Sequence, residues 1–490
     1  MKTRIARRAF ALSMCMIAGS ADVPANNSAL KPSAIDAIFQ DLSKPGAPGC
    51  ALGVYRNAAI IYAKGYGLAN VEEDVAISPQ TVFDVGSMSK QFTAMSILLL
   101  QKKGKLSLAD DIRKYLPELP DYGHTITIRN LLNHTSGLRD YLSLMELAGI
   151  NTDSVTTDED ALALIARQKA VNFAPGNEWL YSNTGFFLLS VIVKRVSGET
   201  LGDFAADNIF GPVGMTHTAY RQDHTSLIAR RALAYDPKTD KNGYVLDVSY
   251  FEQTGDGAVH TSVEDLARWD ENFYTARVAG PGVIGDLQQT AALNNGKALT
   301  YAKGLVVSEY RGLRTVSHSG SWGGYRAQLL RFPDQHFSVA CLCNVGNANP
   351  SKRAAQVADI YLAGVMKKPR PVADTEGLND EDAPKTTAAF TVPRAQLEQF
   401  PGDYWSEELG VTYRLVLAGD ALKLAAIRDA SDLPRFNNFS PGEVRPTKND
   451  EFTLGSEGAT LVFQRDSNSH VTGFIVNAEG STGIRFVRGK

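Results

Sequence analysis

The sequence predicts an α/β (α+β) protein: an antiparallel sheet flanked by helices, carrying an all-helical subdomain, and followed by a smaller all-β barrel. Three observations predict it. Two blocks of strand-like sequence, near residues 50–66 and 313–345, enclose a long stretch whose apolar spacing is helical. A segment almost free of large apolar residues, 367–389, then interrupts the pattern. Beyond Phe390 the apolar period is two, with turn residues between the runs, as in a meander of strands.

The composition sets the outer limits. Hydrophobic residues make up 44% of the 490 and charged residues 21%, enough apolar side chain for a sizeable core, which excludes a mainly disordered chain. Lys and Arg total 50 against 53 acidic residues; a net charge of -3 offers no basic field for a phosphate backbone, so nucleic acid is not expected as a partner. Lys2, Arg4, Arg7 and Arg8 precede a short apolar run over 9–18 and the small residues Gly19-Ser20-Ala21, the pattern of an export signal cleaved near Ala21. No later segment reaches about 18 uninterrupted apolar residues, so no membrane span is expected after cleavage. The expected organisation is a signal peptide over 1–21, the α/β domain over 22–366, a linker over 367–389 and the barrel over 390–490, in an exported, periplasmic or secreted protein.

In chain order, 50–55 and 59–66 are β-rich runs around Arg56-Asn57, a hairpin pattern. Residues 87–103 are apolar on most sides and stop at Gly104, as a helix inside the domain would be. Helical stretches follow at 128–132, 158–168, 185–196 and 263–273, the last with Ser262 as N-cap and Asp265 as a short capping-box partner. Strands return at 325–332 and 336–344, joined by Pro333-Asp334-Gln335. Signal cleavage leaves Cys50, Cys341 and Cys343, an odd number with no zinc-type spacing; Cys341 and Cys343 alternate within a strand and read as buried strand residues. In the tail, 412–417, 422–427, 460–464, 471–476 and 484–487 are the strand runs.

Three short motifs carry chemistry. Ser87-Met88-Ser89-Lys90 opens the buried helix, putting a hydroxyl and an amine three residues apart on one face near the unpaired N–H groups. The positive helix end and burial both disfavour a protonated amine, so Lys90 is suited to be a neutral base beside Ser87. A chain this long holds about one S-x-x-K by chance, so the tetrad alone identifies nothing. Tyr181-Ser182-Asn183, if extended, turns a phenol and an amide to the same side. His318-Ser319-Gly320-Ser321 follows a strand-like run, with Gly320 a place where backbone can approach a substrate.

Together and in this order, the three motifs resemble the serine β-lactamase and penicillin-binding-protein superfamily, whose signature is S-x-x-K, S-D-N and K-T-G. Tyr181-Ser182-Asn183 is similar to the Y-x-N of its class C β-lactamase, D,D-carboxypeptidase, esterase and D-aminopeptidase branch. Residues 81–86, 131–138 and Gly255-Asp256-Gly257 add to the likeness, which runs from about Ala34 to Gly364. The resemblance implies Ser87 as the acylated nucleophile, with Lys90 and Tyr181 sharing the proton transfers in an order left open. It implies Asn183, His318, Gly320 and Ser321 as substrate-binding residues, and the backbone N–H groups of Ser87 and Ser321 as the oxyanion site. His318 stands where β-lactamases have lysine, and a histidine there resembles the D-aminopeptidase branch, whose members also carry lipocalin-like barrels.

The implied activity is that of a serine hydrolase working through an acyl-enzyme on a small-molecule or peptide substrate, most simply a peptidase on small or D-amino-acid-containing peptides. A carboxylesterase of the same fold and a penicillin-binding or cell-wall-fragment sensor with little turnover stay open. No metal or organic cofactor is implied, and the oligomeric state is not legible.

Overall fold

The computed structural model describes residues 32–150, 154–239, 243–367, 390–429, 442–455 and 458–489. The expected signal peptide and nearly all of the expected linker lie outside these residues. A six-stranded antiparallel sheet organises the larger part. Its strands are β1 (Cys50–Arg56), β2 (Ala59–Tyr66), β3 (Val306–Tyr310), β4 (Leu313–Trp322), β5 (Tyr325–Phe332) and β6 (Phe337–Cys343). They lie in the order β3-β4-β5-β6-β1-β2, so the first strand of the chain sits between its second and the last strand of the sheet. The expected hairpin is present: Asn57 and Ala58, both at positive φ, make the tight turn from β1 to β2.

Both faces of the central strands are covered. Phe337, Val339, Cys341 and Cys343 of β6 pack on one side with residues of α1 (Pro32–Ile38) and the helix Pro350–Leu362. Ala340 and Leu342 join the main core on the other, where the helix Val263–Thr275 lies against β1 and β6. Burial on both faces explains why β6 is a nearly unbroken apolar run. Cys50 and Cys343, directly opposite on β1 and β6, form a disulfide, and Cys341 is a buried free thiol.

The helical subdomain is built around α2 (Lys90–Lys102), in which every residue from Lys90 to Leu100 is buried. Around it come α3 (Ile128–Leu132), α4 (Tyr141–Leu147), α5 (Asp158–Ala166) and α6 (Asn183–Ser197). Helix α6 packs on both α2 and α3, and Gly185 lets its backbone close on that of Leu131. Ser262 caps its helix as expected, but Asp265 turns to His217 and Thr218, so the reciprocal half of the capping box is not made.

The C-terminal part is a closed eight-stranded barrel of consecutive antiparallel strands: β7 (Gly402–Ser406), β8 (Val411–Ala418), β9 (Ala421–Asp429), β10 (Gly442–Lys448), β11 (Glu451–Leu454), β12 (Ala459–Arg465), β13 (Val471–Ala478) and β14 (Ser481–Arg488). Its interior is filled: Tyr404, Tyr413, Phe452, Phe463, Phe474 and Phe486 are buried and pack ring on ring, Phe474 and Phe486 stacked at 4.7 Å. The barrel docks on α4 and its leading residues through a buried ion pair between Glu408 and Arg139 and a hydrogen bond from the Tyr413 hydroxyl to the Leu147 carbonyl, and on the segment after α5 through Glu408, which accepts from Gln168 and the Lys169 N–H.

Candidate active site

The turn that carries Ser87 is made by its neighbours. Gly86 has φ +47, and its N–H donates to the Asp84 carboxylate at 2.8 Å. The chain then tightens into a 3-10 turn over Gly86–Ser89, with the Lys90 N–H bonded to the Ser87 carbonyl. The expectation that Ser87 opens the α-helix is corrected accordingly: Ser87 lies in this 3-10 lead-in, a common form of a helix N-terminus, and α2 itself begins at Lys90. A Cβ on Gly86 would sit 2.7 Å from the Ser321 nitrogen, so only glycine lets β4 come this close to the turn. That approach brings the Ser321 backbone beside the nucleophile.

Lys90 is fully buried, and its Nζ lies 2.9 Å from Ser87 Oγ, 2.9 Å from Asn183 Oδ1 and 2.8 Å from the Asp256 carbonyl. The last two partners can only accept and therefore take two N–H bonds. The remaining position, toward Ser87, is a third N–H in the ammonium and the lone pair in the free amine. Burial pushes Lys90 below the ordinary lysine range, against the opposing pull of Asp256 and Asp140. Asp256 is itself pushed up by burial; one carboxylate oxygen accepts from the Tyr141 hydroxyl at 3.0 Å and the other has no hydrogen-bond partner among the described residues. Gly255, at φ +103, is required there because a Cβ would strike the Phe186 carbonyl.

The expected side-sharing of Tyr181 and Asn183 is present, with Ser182 extended between them. The Tyr181 hydroxyl lies 2.8 Å from Ser87 Oγ. His134 packs against the Tyr181 ring with centroids 4.3 Å apart. Its Nδ1 accepts the Ser182 N–H at 3.1 Å, and burial together with the nearby Lys90 keeps the imidazole neutral. Asn183 begins α6; its backbone N–H donates to the Asp140 carboxylate and its side-chain oxygen holds Lys90, which leaves its NH2 as a donor.

His318 and Gly320 lie inside β4, so the motif is part of the strand rather than following it. His318 is 5% exposed, its Nδ1 within 2.6 Å of the Ser319 carbonyl and its Nε2 3.0 Å from the Tyr301 hydroxyl. Those partners require Nδ1 to carry the proton and Nε2 to accept from Tyr301. Burial and the neighbouring Lys90 push His318 down to about 4, so it is neutral near pH 7. A Cβ on Gly320 would lie 1.9 Å from the Val85 carbonyl, so glycine there serves the packing of β4 on the nucleophile's turn. Sequence reasoning missed Asp140, Tyr141 and Tyr301, and it noted His134 and Asp256 only within family-like segments, without a role. An Asp ahead of an apolar helical run, as Asp140 stands before α4, is a readable N-cap signal; Tyr301 has no local one.

The Beta-lactamase family profile matches residues 35–363. Penicillin-binding protein 4* of Bacillus subtilis (strain 168) is 33% identical over 299 residues, covering 58% of this chain and 65% of that protein. The D-aminopeptidase of Brucella anthropi is 29% identical over 298 residues, covering 61% of this chain and 56% of that one. The chain thus spans less than two thirds of either relative. Among solved structures, the octameric penicillin-binding protein homologue from Pyrococcus abyssi superposes with a TM-score of 0.61 at 22% identity, covering 93% of this chain and 99% of its own. With two thirds of its length matched by the profile and the sheet, helices and motif order of that fold, the chain belongs to the Beta-lactamase family.

Proposed function

We propose that this protein is an exported serine hydrolase that forms an acyl-enzyme at Ser87 and cleaves small amides, in particular short peptides containing D-residues. The observation that carries the reading is the pair of contacts on one hydroxyl: Lys90 Nζ at 2.9 Å and the Tyr181 hydroxyl at 2.8 Å from Ser87 Oγ. Two carbonyls already hold the Lys90 N–H groups, so the free amine aims its lone pair at Ser87 and takes the proton as Oγ bonds to the substrate carbonyl carbon. Tyr181 donates a proton to the leaving nitrogen as the C–N bond breaks, and the proton on Lys90 replaces it. The oxyanion sits between the N–H groups of Ser87 and Ser321, and the Asn183 NH2 binds the acyl-side carbonyl. Water then attacks the acyl-enzyme by the same route in reverse.

The neutral state of His318 supports substrates without a carboxylate at that position, and the D-aminopeptidase among the relatives supports the D-residue preference. A buried disulfide supports export, because such bridges persist in oxidising compartments. The test is a profile of wild type and Ser87→Ala across L- and D-aminoacyl amides, p-nitrophenyl esters and a cephalosporin, with labelling by a fluorescent serine-reactive phosphonate. Ser87→Ala should lose turnover and labelling together. Labelling that persists at another serine refutes the nucleophile, and one equivalent of product followed by arrest refutes turnover.

A further inference from the structure

The barrel meets the framework of the site at Asp140. The Asp140 N–H donates to the Gly480 carbonyl at 2.8 Å, and its own carbonyl accepts from Ser481 Oγ at 3.2 Å. Gly480, at φ +71 in the turn between β13 and β14, lies so close that a Cβ would fall 2.8 Å from the Asp140 Cβ. The grip is braced on both sides. Buried Glu408 pairs with Arg139 and accepts the Lys169 N–H, while Asn172 spans the Gly480 carbonyl at 2.8 Å and the Thr482 N–H at 2.9 Å.

On its other side Asp140 faces the site. Its carboxylate caps α4 by accepting the N–H groups of Leu142 and Ser143 at 3.0 and 3.2 Å, and takes the Asn183 N–H on its second oxygen. Asn183 Oδ1 holds Lys90. A continuous run of hydrogen bonds therefore leads from the barrel turn to the amine beside Ser87.

We propose that the turn between β13 and β14 is a positioning clamp: by fixing Asp140, Gly480 and Ser481 hold Asn183, and through it Lys90, in register with Ser87. The proposal rests on the reading of Ser87, Lys90 and Asn183 given under Proposed function. With its interior filled by aromatic rings, the barrel acts here through its turn. Because misplacing a catalytic group by about 1 Å can cost on the order of 100-fold in rate, a clamp of this kind matters without touching substrate.

The test uses the full-length protein, with Gly480→Ala, whose methyl group would push on Asp140, and Ser481→Ala, which removes one hydrogen bond. Thr472→Ala on β13, which loses only a bond to the Gln464 carbonyl, is the control. On an amide that wild type hydrolyses, Gly480→Ala should lower kcat at least about tenfold and Ser481→Ala about threefold, while the control keeps wild-type values. The acid limb of kcat/KM should also move to lower pH in both. Asp140 and Asp256, both pushed up by burial, are the carboxylates whose charge raises the proton affinity of Lys90, and the neighbouring imidazoles of His134 and His318 are kept neutral by burial. Loosening Asp140 lowers that affinity, so the free amine persists to lower pH. An unchanged kcat, or a loss of kcat with the limb unmoved, overturns the clamp. If Gly480→Ala does not fold, Ser481→Ala decides on the same two readouts. Phosphonate labelling of wild type separates the two claims: labelling at Ser87 with unaffected variants sinks only the clamp, and no labelling at Ser87 sinks the site reading and the clamp with it.

Discussion

Replacing Lys90 by methionine separates chemistry from stability. The change keeps the volume of a side chain with no exposed surface and removes the amine from three partners, Ser87 Oγ, Asn183 Oδ1 and the Asp256 carbonyl. Two buried acceptors lose their donor, at about 1–3 kcal/mol each. Against this, keeping an amine out of water costs several kcal/mol, which the depression of Lys90 registers and which methionine does not incur. The two nearly offset, so the unfolding midpoint in urea should shift by no more than the equivalent of about 2 kcal/mol. The rate has no such compensation: loss of a general base costs about 100- to 10,000-fold, or about 2.7–5.5 kcal/mol of transition-state stabilisation. Steady-state kcat/KM and a urea titration on the same preparation check both halves. The wild-type rate should rise with pH as Lys90 loses its proton, and this limb should vanish in Lys90→Met. A rate within tenfold of wild type, or a collapse of stability in step with the rate, would refute the reasoning.

Further outcomes follow from neighbouring features. Because His318 is neutral from pH 6 to 8, KM for a matched pair of free-acid and amide peptides should run parallel across that range; a rise for the acid alone would mean that a protonated His318 anchors the carboxylate. The same depression makes the native state resist the proton that the unfolded chain takes up near pH 6.5, so stability is lost as pH falls from there toward about 4; the loss should shrink in His318→Gln, as measured by thermal unfolding at pH 7 and 4.5. Cys50→Ala with Cys343→Ala should lower stability by about 2–5 kcal/mol, and wild type should match it once reduced in denaturant; equal unfolding midpoints with and without reductant would show the bridge contributes nothing. Glu408→Ala leaves Arg139 buried without its carboxylate and should cost about 3–5 kcal/mol by the same titration, whereas a neutral result would mean that water reaches Arg139.

Much of the fold was legible because its elements are local. The β1–β2 hairpin, the all-round apolar α2 and the strands β5 and β6 announce themselves by period and turn residues. Strand β10 does not: Glu443, Arg445, Pro446 and Lys448 leave Val444 as its one large apolar residue, and it belongs to the barrel by pairing with β9 and β11. The site divides in the same way. Ser87, Lys90, Tyr181 and Asn183 stand in short motifs and Asp140 carries a local N-cap signal, while Tyr301, the Asp140–Asn183 contact and the Cys50–Cys343 pair acquire meaning only when distant segments meet. His318 was legible as a residue but not as a state, because protonation depends on burial and on Tyr301.

The place of β1 in the sheet has a consequence for how the chain acquires its structure. The strand must insert between β2 and β6, and the register Cys50 to Cys343 joins residues 293 apart, so the centre of the sheet stays open until nearly the whole α/β region exists. Closure entropy over so long a loop is large, and non-local pairing of this kind is slow. The barrel, with consecutive strands paired to their neighbours, faces no such wait. During synthesis a β1–β2 hairpin would remain a two-stranded edge, available to wrong partners, until its last neighbour arrived. Assembly order, rather than any one contact, is then where this architecture is most vulnerable.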